Sequence, residues 1–489
     1  MDEKQTKKNL LFFPLGTIGR DMLYALFTNF ILLYILYTKN LTTAQLAAVT
    51  AIMVAARIFD GLNDPIMGNL IERTRTRWGK YKPWLLAGVL STSIVVYLAF
   101  NTDLTGWNFI AFFGVIYFTY SITFTMNDIS YWGMIPALSS DGDTRNRFTS
   151  KTTLFAGIGS TLVSILVPLL TTGEFAIGGS AKVAYGRMAL VIAVFAPICI
   201  LFTLFGAKER RDDDNAPVPP VSFKKIISTI TGNDQLMWIC LAFVIQQLGS
   251  NIAIGGAGSN YIYFEFGYEG GLYSTYTTIG MLATAFLMVF YPAISRKLNR
   301  KPLMKLMITI SLVGYVTEIA SGIFMPSSML KFWIITIGFM LANFGQYGFY
   351  LVMMISIINT VEYNEFKHGV RDEAIITSMR PFLTKLGSAL VVVVTSLTYI
   401  ICNVTSYTNQ ISNLESLAEM GSITVAEKTA QIASIIGSVV SWQKTGLLLA
   451  MTVIPFITMF VSYIIYQKKY VLDEDYYDEI CKELESRKK

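Results

Sequence analysis

LLFFPLGTIGRDMLYALFTNFILLYILYT, residues 10–38, is an apolar run long enough to cross a lipid bilayer as one helix. A hydrocarbon core about 30 Å thick requires roughly 20 apolar helical residues, and this run carries only Arg20 and Asp21 as charged residues. Similar runs recur along the chain. We therefore predict twelve transmembrane helices, the others lying at 43–70, 84–101, 107–136, 152–172, 184–206, 234–263, 272–294, 303–325, 332–361, 375–402 and 443–467.

The composition of the whole chain agrees with these runs. Of its 489 residues 53% are hydrophobic and 15% are charged, whereas charged residues make up about 25% of a typical soluble protein. The four cysteines are widely spaced and His368 is the single histidine, so the composition excludes a disulfide scaffold and a zinc hydrolase. We predict an all-α polytopic membrane protein.

The basic residues predict the orientation of the helices. Most of the 39 Lys and Arg residues fall in alternate loops and in both terminal segments, and basic residues accumulate on the cytoplasmic side of a membrane. We expect a multi-pass protein of the cell membrane with both termini in the cytoplasm. The net charge of +6 then reflects topology, so no nucleic-acid partner is expected.

The chain divides into two halves around a charged, proline-rich stretch, AKERRDDDNAPVPPVSFKKIISTITGN. We predict an N-terminal six-helix bundle at 1–206, a cytoplasmic linker at 207–233, a C-terminal bundle at 234–467 and a tail at 468–489. Short repeats, IGSTL from Ile158 and LGSAL from Leu386, support duplication of one half, a construction common among secondary transporters. The outside loop 403–442 is expected to form a surface cap, and the tail a solvated amphipathic segment.

Two acidic residues share one face of the second predicted helix, in RIFDGLNDP. Asp60 and Asp64 are four residues apart, and two carboxylates so close at membrane depth must hold either a proton or a cation. A small hard cation such as Na⁺ prefers oxygen ligands, which Asn63 and Thr125 could add. The alternative is a structural ion pair in which Arg57 neutralises Asp60.

A second pair, in NDISYW, combines an acid with an aromatic ring. Asp128 and Trp132 lie one helical turn apart, an arrangement that suits the hydroxyl groups and the C–H face of a sugar. The tryptophan could equally be a core residue or an interface anchor. Further polar residues could line a cleft or only hold helices together: Gln246, Gln247, Asn251, Asn343, Gln346 and Tyr347.

The strings RIFDGLNDPIMG, TRWGKYKPW and NDISYW, with GRD in the first span and TKLGSA in the eleventh, occur at consistent positions through both halves. In these motifs the chain resembles the glycoside-pentoside-hexuronide:cation symporters of the major facilitator superfamily. The resemblance implies twelve transmembrane helices in two pseudo-symmetric six-helix bundles. It also implies a sodium site, and so a metal site, formed by Asp60 and Asp64 with Asn63 and Thr125.

The same resemblance implies a sugar site formed by Asp21, Asp128 and Trp132, with Lys385 linking the sugar and cation regions. The sequence departs from the family elsewhere. Thr153, with Lys151 nearby, stands where a relative of this family has an arginine. Other departures are Thr28 in place of a tyrosine and Arg380 with Pro381 in place of a Gln-Thr pair. Lys151, Thr153 and Arg380 become possible lining residues, and the cation site looks better retained than the sugar site.

We therefore expect a transporter that brings a glycoside or related sugar into the cell by alternating access, coupled to Na⁺ or alternatively to H⁺ or Li⁺. It should need no other cofactor and should function as a monomer in the bilayer. The alternatives are a sodium-coupled lysolipid carrier and a proton-coupled uronide or pentoside symporter. An enzyme is not expected, because the carboxylates lie deep in the predicted helices, and a channel is not expected because they lie in one half.

Overall fold

The computed structural model describes residues 3–139, 141–209, 223–249, 252–254, 256–295 and 297–487. Regular structure within these ranges is entirely helical, with no strand. A short 3-10 helix, Gly173–Phe175, accompanies seventeen α-helices. They are α1 (Glu3–Thr38), α2 (Thr43–Arg73), α3 (Lys82–Phe100), α4 (Gly106–Leu138), α5 (Gly142–Thr171), α6 (Ala181–Gly206), α7 (Phe223–Gly232), α8 (Asp234–Gly249), α9 (Ala257–Phe266), α10 (Gly270–Ser295), α11 (Arg300–Phe324), α12 (Met329–His368), α13 (Glu373–Ile401), α14 (Val404–Glu419), α15 (Val425–Gly437), α16 (Ser441–Lys469) and α17 (Glu474–Arg487).

Local sequence explains where several helices begin and end. Thr42 and Gln45 form a reciprocal capping box at the start of α2, and the Ser328 side chain accepts a hydrogen bond from Lys331 N at the start of α12. Gly369 ends α12 with a φ of 70°, a left-handed conformation that glycine adopts without steric cost. The spans are thus delimited by polar caps at the ends of apolar sequence.

Eleven of the described helices are long and apolar enough to cross a membrane. They correspond to eleven of the twelve predicted spans. The seventh, at 234–263, was expected to be continuous, but it is divided into α8 and α9. Its sequence there, GSNIAIGGAG, is rich in glycine, and glycine disfavours a helix interior by about 1 kcal/mol per residue.

The helices form two compact units. The first consists of described residues within Met1–Val218, Ile262–Thr275 and Asn403–Val439, and the second of those within Pro219–Tyr261, Tyr276–Cys402 and Val440–Lys489. The domain boundaries predicted from the linker remain a prediction, because they refer to bundles along the sequence and partly to residues outside the described ranges.

In the first unit, α1 packs against α5 and α6, and α4 packs against α2 and α3. Aromatic side chains fill the contact between α1 and α4, where the Phe27 and Tyr120 rings stack at a centroid distance of 3.7 Å. Gly88 of α3 allows close approach to α4, since a Cβ atom there would lie 2.7 Å from Asn127 N. This packing fixes the positions of α1, α2 and α4 relative to one another.

The first unit also contains a cap, α14 and α15, which comes from the predicted outside loop 403–442. Asn409 forms two hydrogen bonds with the Leu41 backbone, at 2.8 and 3.0 Å, just beyond the end of α1. At the start of α6, the Glu415 carboxylate accepts a hydrogen bond of 2.8 Å from Ala181 N and pairs with buried Lys428 at 3.0 Å. The loop is therefore a folded structure docked on the helix ends of its own unit.

In the second unit, α11 packs closely against α12, and α8 against α16. Glycines permit the first of these contacts: a Cβ atom on Gly314 would lie 2.5 Å from Ala342 N and from the Gly338 carbonyl oxygen. Small residues allow transmembrane helices to approach closely enough for dispersion contacts to hold them together.

The tail was predicted to be solvated, and this interpretation was incomplete. Its helix α17 is amphipathic, but Ile480 and Leu484 are buried in the core of the second unit. The Glu474 carboxylate also accepts hydrogen bonds from Arg300 N and Nε, at 2.7 and 2.9 Å. The helix packs against the second unit because burial of its apolar face, which carries Ile480 and Leu484, is favourable.

Candidate functional site

The first part of the candidate site is built around Arg20 of α1. Its guanidinium, which is 3% exposed, donates to Asp21 Oδ2 at 2.8 and 3.0 Å and to Asp128 Oδ1 of α4 at 2.9 Å. The planar guanidinium can serve two carboxylates at once because its N–H groups point in fixed, diverging directions. Asp21 and Asp128, which the family resemblance implies as sugar-binding acids, are thus brought together by one arginine.

Trp132 lies against the same arginine, one turn beyond Asp128. The Arg20 Cζ atom is 5.4 Å from the centre of the Trp132 ring and 5.0 Å from that of Tyr131. Tyr131 is buried and its hydroxyl donates to the Phe13 carbonyl, whereas Trp132 is only half-buried. Trp132 therefore combines a fixed position with an accessible surface, as a stacking residue requires.

The second part of the candidate site lies between α2 and α4. Thr125 Oγ1 donates to Asp64 Oδ1 at 3.3 Å, and one turn earlier on α4 the Ser121 hydroxyl donates to Asp60 Oδ1. Pro65 has no N–H, so the Gly61 carbonyl next to Asp60 lacks its usual helical donor. Two carboxylates and two hydroxyls therefore form matched pairs across the α2–α4 contact.

The remaining predicted cation ligand has a different environment. Asn63 is buried, but no hydrogen bond joins it to either aspartate, and within the described part of the chain its Nδ2 atom has no hydrogen-bond partner. Among described residues no contact within 4.0 Å joins Arg57 to Asp60, although the two groups interact electrostatically, and the buried Nε atom of Arg57 has no hydrogen-bond partner. The structure thus contains Asp60 and Asp64 next to α4 hydroxyls and not in a salt bridge with Arg57.

These acids do not form a multi-carboxylate metal centre. Over the residues described, no group of three or more His, Cys, Asp and Glu side chains is placed to hold a metal ion. Two carboxylates with neutral oxygens suit a hard monovalent ion better than a transition metal.

Other predicted lining residues lie in the second unit. Gln246 Nε2 donates to Gln346 Oε1 at 3.0 Å, and Gln346 Nε2 donates to the Tyr315 hydroxyl at 3.0 Å and to the Pro455 carbonyl at 3.3 Å. These residues line a cavity of about 220 Å³ within that unit, together with Asn343 and Tyr347. The glutamines therefore both connect helices and line a cavity.

The last predicted residues are more scattered. Arg380 is exposed and donates from Nε to the Tyr350 hydroxyl at 3.2 Å, and half-buried Lys385 lies on the same helix, α13. In the first unit, Lys151 is exposed, and the Thr153 hydroxyl donates to the Thr149 carbonyl of its own helix at 2.9 Å. Asn251 lies outside the described residues.

Two residues with clear structural roles were not among the predicted site residues. Arg20 was noted only as a neighbour of Asp21, although the GRD motif contained it, and Ser121 was not considered. The signal for Ser121 was its position four residues before Thr125, which matches the spacing of Asp60 and Asp64. Residues four positions apart lie on one face of a helix, so two facing helices can bring such residues into contact in successive turns.

Comparison with known proteins identifies the family. Residues 12–474 match the family described as MFS/sugar transport protein. A lactose permease of Leuconostoc lactis is 29% identical over 402 residues, covering 78% of this chain and 60% of the relative, so the chain spans less than two thirds of that protein's length. A lactose permease of Lactobacillus delbrueckii subsp. bulgaricus is 28% identical over 498 residues, covering 98% of this chain and 72% of the relative.

The fold also matches solved transporters. A bacterial homologue of the human lysosomal transporter Spinster superposes with a TM-score of 0.65 at 12% identity, covering 96% of this chain and 99% of that one. At that identity the likeness concerns the fold alone, and it confirms the predicted major facilitator architecture. The match of the family over most of the chain also confirms the predicted transporter class: the chain is a multi-pass membrane protein of the MFS/sugar transport family, resembling the glycoside-pentoside-hexuronide:cation symporters, and not an enzyme.

Proposed function

We propose that this protein carries a glycoside or related sugar into the cell by alternating access, coupled to entry of a monovalent cation. The observation that supports this most is the position of α4. Its Ser121 and Thr125 hydroxyls contact the α2 acids, and Asp128, on the same helix, contacts Arg20 of α1. One rigid helix therefore connects the candidate cation site to the candidate sugar site.

In this proposal Asp60 and Asp64 hold the cation, with Ser121 and Thr125 supplying neutral oxygens. Two carboxylates one turn apart repel each other, and a bound cation removes that repulsion. Sodium is the ion we propose first because all four groups offer oxygen, with H⁺ and Li⁺ as alternatives. The membrane potential would then drive the ion inward with about 2.3 kcal/mol per charge per 100 mV.

The sugar would bind to Asp21 and Asp128, whose remaining acceptor positions suit hydroxyl groups, and stack on Trp132. Arg20 would hold both carboxylates in place without being displaced. Because α4 bears on both sites, binding of the cation would favour binding of the sugar, and the reverse by the same amount, typically about 1–3 kcal/mol.

The names of two relatives support a choice of substrate class. Two of them are named lactose permeases, so we propose a neutral glycoside as the first substrate to test. A proton-coupled uronide or pentoside symporter and a sodium-coupled lysolipid carrier are the other outcomes. The cytoplasmic location of both termini and a functional monomer remain predictions.

Transport by the purified protein in liposomes tests the coupling. Under an inward Na⁺ gradient we expect lactose to accumulate, and Asp60→Asn and Asp64→Asn should each reduce that accumulation at least tenfold. Asp475→Asn, at an exposed aspartate of α17, is the matched control and should accumulate lactose normally. Na⁺-driven accumulation of lactose by both α2 variants at the wild-type level would exclude this cation site.

Binding tests the sugar site separately. Lactose should raise the unfolding temperature of the wild-type protein by mass action, and more in Na⁺ than in K⁺. Trp132→Ala and Asp128→Asn should remove this shift. A wild-type shift with a uronide or a lysolipid and none with lactose would assign the substrate to one of the alternatives.

A further inference from the structure

Glu318 of α11 is a buried acid for which the proposed transport cycle has no role. Its side chain is 1% exposed, and both carboxyl oxygens are buried with no hydrogen-bond partner among the described residues. Two acids of the first unit differ, since partly buried Asp21 contacts Arg20 and buried Glu415 contacts Lys428. A carboxylate is among the most costly groups to place at membrane depth without compensation.

The neighbouring helix leaves space for this side chain. Gly338 of α12 faces Glu318, and a Cβ atom there would lie only 2.7 Å from Glu318 Cγ. Any larger residue at 338 would displace the acid. The close packing of α11 on α12 therefore accommodates a glutamate at this point, which makes its burial a property of both helices.

The charged and titratable groups around Glu318 are few. On its own helix, Tyr315 lies about one turn away and is the group with which Glu318 interacts electrostatically. No ion pair joins Glu318 to α12 or α16, the two helices packed against α11 over the described residues. The other charged residues of α11, α12 and α16 are Arg300, Lys301, Lys305, Lys331, Glu362, Glu365, Lys367, Lys444, Lys468 and Lys469.

A hydrogen-bonded polar cluster at the cavity of the second unit lies about one helical turn from Glu318. Tyr315 lines the cavity and its hydroxyl accepts a hydrogen bond from Gln346, which is bonded in turn to Gln246. Glu318 lies about one turn beyond Tyr315 on α11 and is not itself among the lining residues. Water or a solute hydroxyl that entered the cavity would change the polarity next to the acid.

We propose that Glu318 is a proton-binding site of the second unit, which holds a proton when buried and exchanges it with water when the cavity is hydrated during transport. The acid has no counter-charge in the described structure, so its stable form there is the neutral carboxyl group. Each cycle would take up one proton on one side, giving the acid, and release it on the other, giving the carboxylate. This proposal rests on the proposed transport function and adds a proton to the cation held at Asp60 and Asp64.

Infrared difference spectroscopy tests the protonation without transport. The wild-type protein at pH 7 should show the C=O stretch of a protonated, buried carboxyl group, and Glu318→Gln should lack it. Glu479→Gln, at an exposed glutamate of α17, is the matched control and should keep the band. A spectrum of Glu318→Gln that keeps the full band would overturn the proposal.

Proton movement tests the role in transport. In liposomes containing a pH-sensitive dye, lactose influx into the wild-type protein should carry protons, and Glu318→Gln should reduce that proton flux at least tenfold. Lactose counterflow, in which no net proton moves, should fall far less. Lactose influx with no proton flux in the wild type, or an equal proton flux per lactose in Glu318→Gln, would overturn the role of Glu318.

The two proposals fail differently. Loss of Na⁺ coupling in the wild type would contradict the cation site at Asp60 and Asp64 and would leave the infrared band of Glu318 in place. Absence of that band would contradict the proton site and would leave Na⁺-driven accumulation intact.

Discussion

Acids in the two units differ in whether a cation accompanies them. In the first unit Arg20 bridges Asp21 and Asp128, which are partly exposed, and buried Lys428 pairs with buried Glu415 at 3.0 Å. In the described second unit, Glu318 has no such partner and faces a glycine. The two sites therefore differ in chemistry: ion pairs hold these acids of the first unit, whereas neutral hydrogen bonds join Tyr315, Gln346 and Gln246 near Glu318.

Because of this difference, the loss of one polar partner should change the free energy of unfolding by different amounts in the two units. Removing one of these cations from the first unit leaves a carboxylate without its partner, which costs free energy to the extent that the carboxylate is removed from water. Removing a hydrogen bond from the second unit leaves only a neutral polar group unsatisfied. Substitutions in the two units should therefore differ in size and in their response to pH.

Arg20→Met should produce the largest effect. It leaves Asp21 and Asp128 close together with no cation between them. Breaking a fully buried pair costs about 3–5 kcal/mol, and the partial exposure of Asp128 places this network at or below that range. We expect a large fall in the free energy of unfolding and no shift of the unfolding temperature with lactose. Thermal unfolding of the purified protein in detergent measures both.

Two further variants separate the charge from the shape of Arg20. Arg20→Lys keeps the charge but cannot reach both carboxylates with a planar fork, so it should be intermediate. Arg20→Met combined with Asp21→Asn and Asp128→Asn removes all three charges, and it should recover much of the lost stability. If the single variant were as stable as the wild type, the first unit would not depend on charge compensation.

Much of the fold was predictable from sequence because a membrane span is a local property. Eleven apolar runs became helices, since each satisfies its backbone hydrogen bonds internally. The interruption between α8 and α9 was not predicted, because hydropathy alone does not distinguish a glycine-rich apolar run from a helical one. The docking of the cap at Leu41 and Ala181 depends on contacts more than 200 residues apart in sequence.

The candidate site was predictable in its residues and less so in its contacts. The spacing of Asp60 and Asp64 indicated one helix face, and the structure has the Thr125 hydroxyl 3.3 Å from Asp64 Oδ1. The bridge from Arg20 to Asp128 spans 108 positions, and no local pattern encodes it. The resemblance to a family supplied the acids, whereas only the packing of α1 on α4 showed that one arginine serves both.

Lys428→Met tests charge compensation in the cap, with a smaller expected effect. It leaves Glu415 buried, although the carboxylate keeps the hydrogen bond from Ala181 N. We expect a loss of about 1–3 kcal/mol, because one donor remains and the acid can take up a proton. Hydrogen–deuterium exchange of α14 and α15 measures the local stability.

The pH dependence of this variant follows from the acid that remains. Burial raises the pKa of the Glu415 carboxyl above its usual value, and Lys428 opposes that rise. An acid with a raised pKa in the folded state contributes stability at low pH, and that contribution is lost as the pH rises through the folded-state pKa. Lys428→Met should thus regain protection as the pH falls below 7, and Glu415→Gln with Lys428→Met should lose this pH dependence.

Gln346→Leu tests the second unit and should have the smallest effect. It removes the hydrogen bonds to Gln246, Tyr315 and Pro455, which are all between neutral groups. Each such bond contributes about 0.5–1.5 kcal/mol, and the added apolar contacts of leucine offset part of the loss. We expect a decrease of about 1 kcal/mol in the free energy of unfolding, independent of pH between 5 and 8.

A double-mutant cycle isolates the pair that matters most for the comparison. Gln246→Leu and Gln346→Leu should be non-additive by about 0.5–1.5 kcal/mol, because each single variant already removes the bond that joins them. A coupling as large as that expected for Arg20 with Asp128 would show that the amides of the second unit carry as much energy as the charges of the first. Equal coupling energies would mean that neutral hydrogen bonds at membrane depth approach the strength of ion pairs. The two units would then differ in the chemistry of these contacts and not in their contribution to stability.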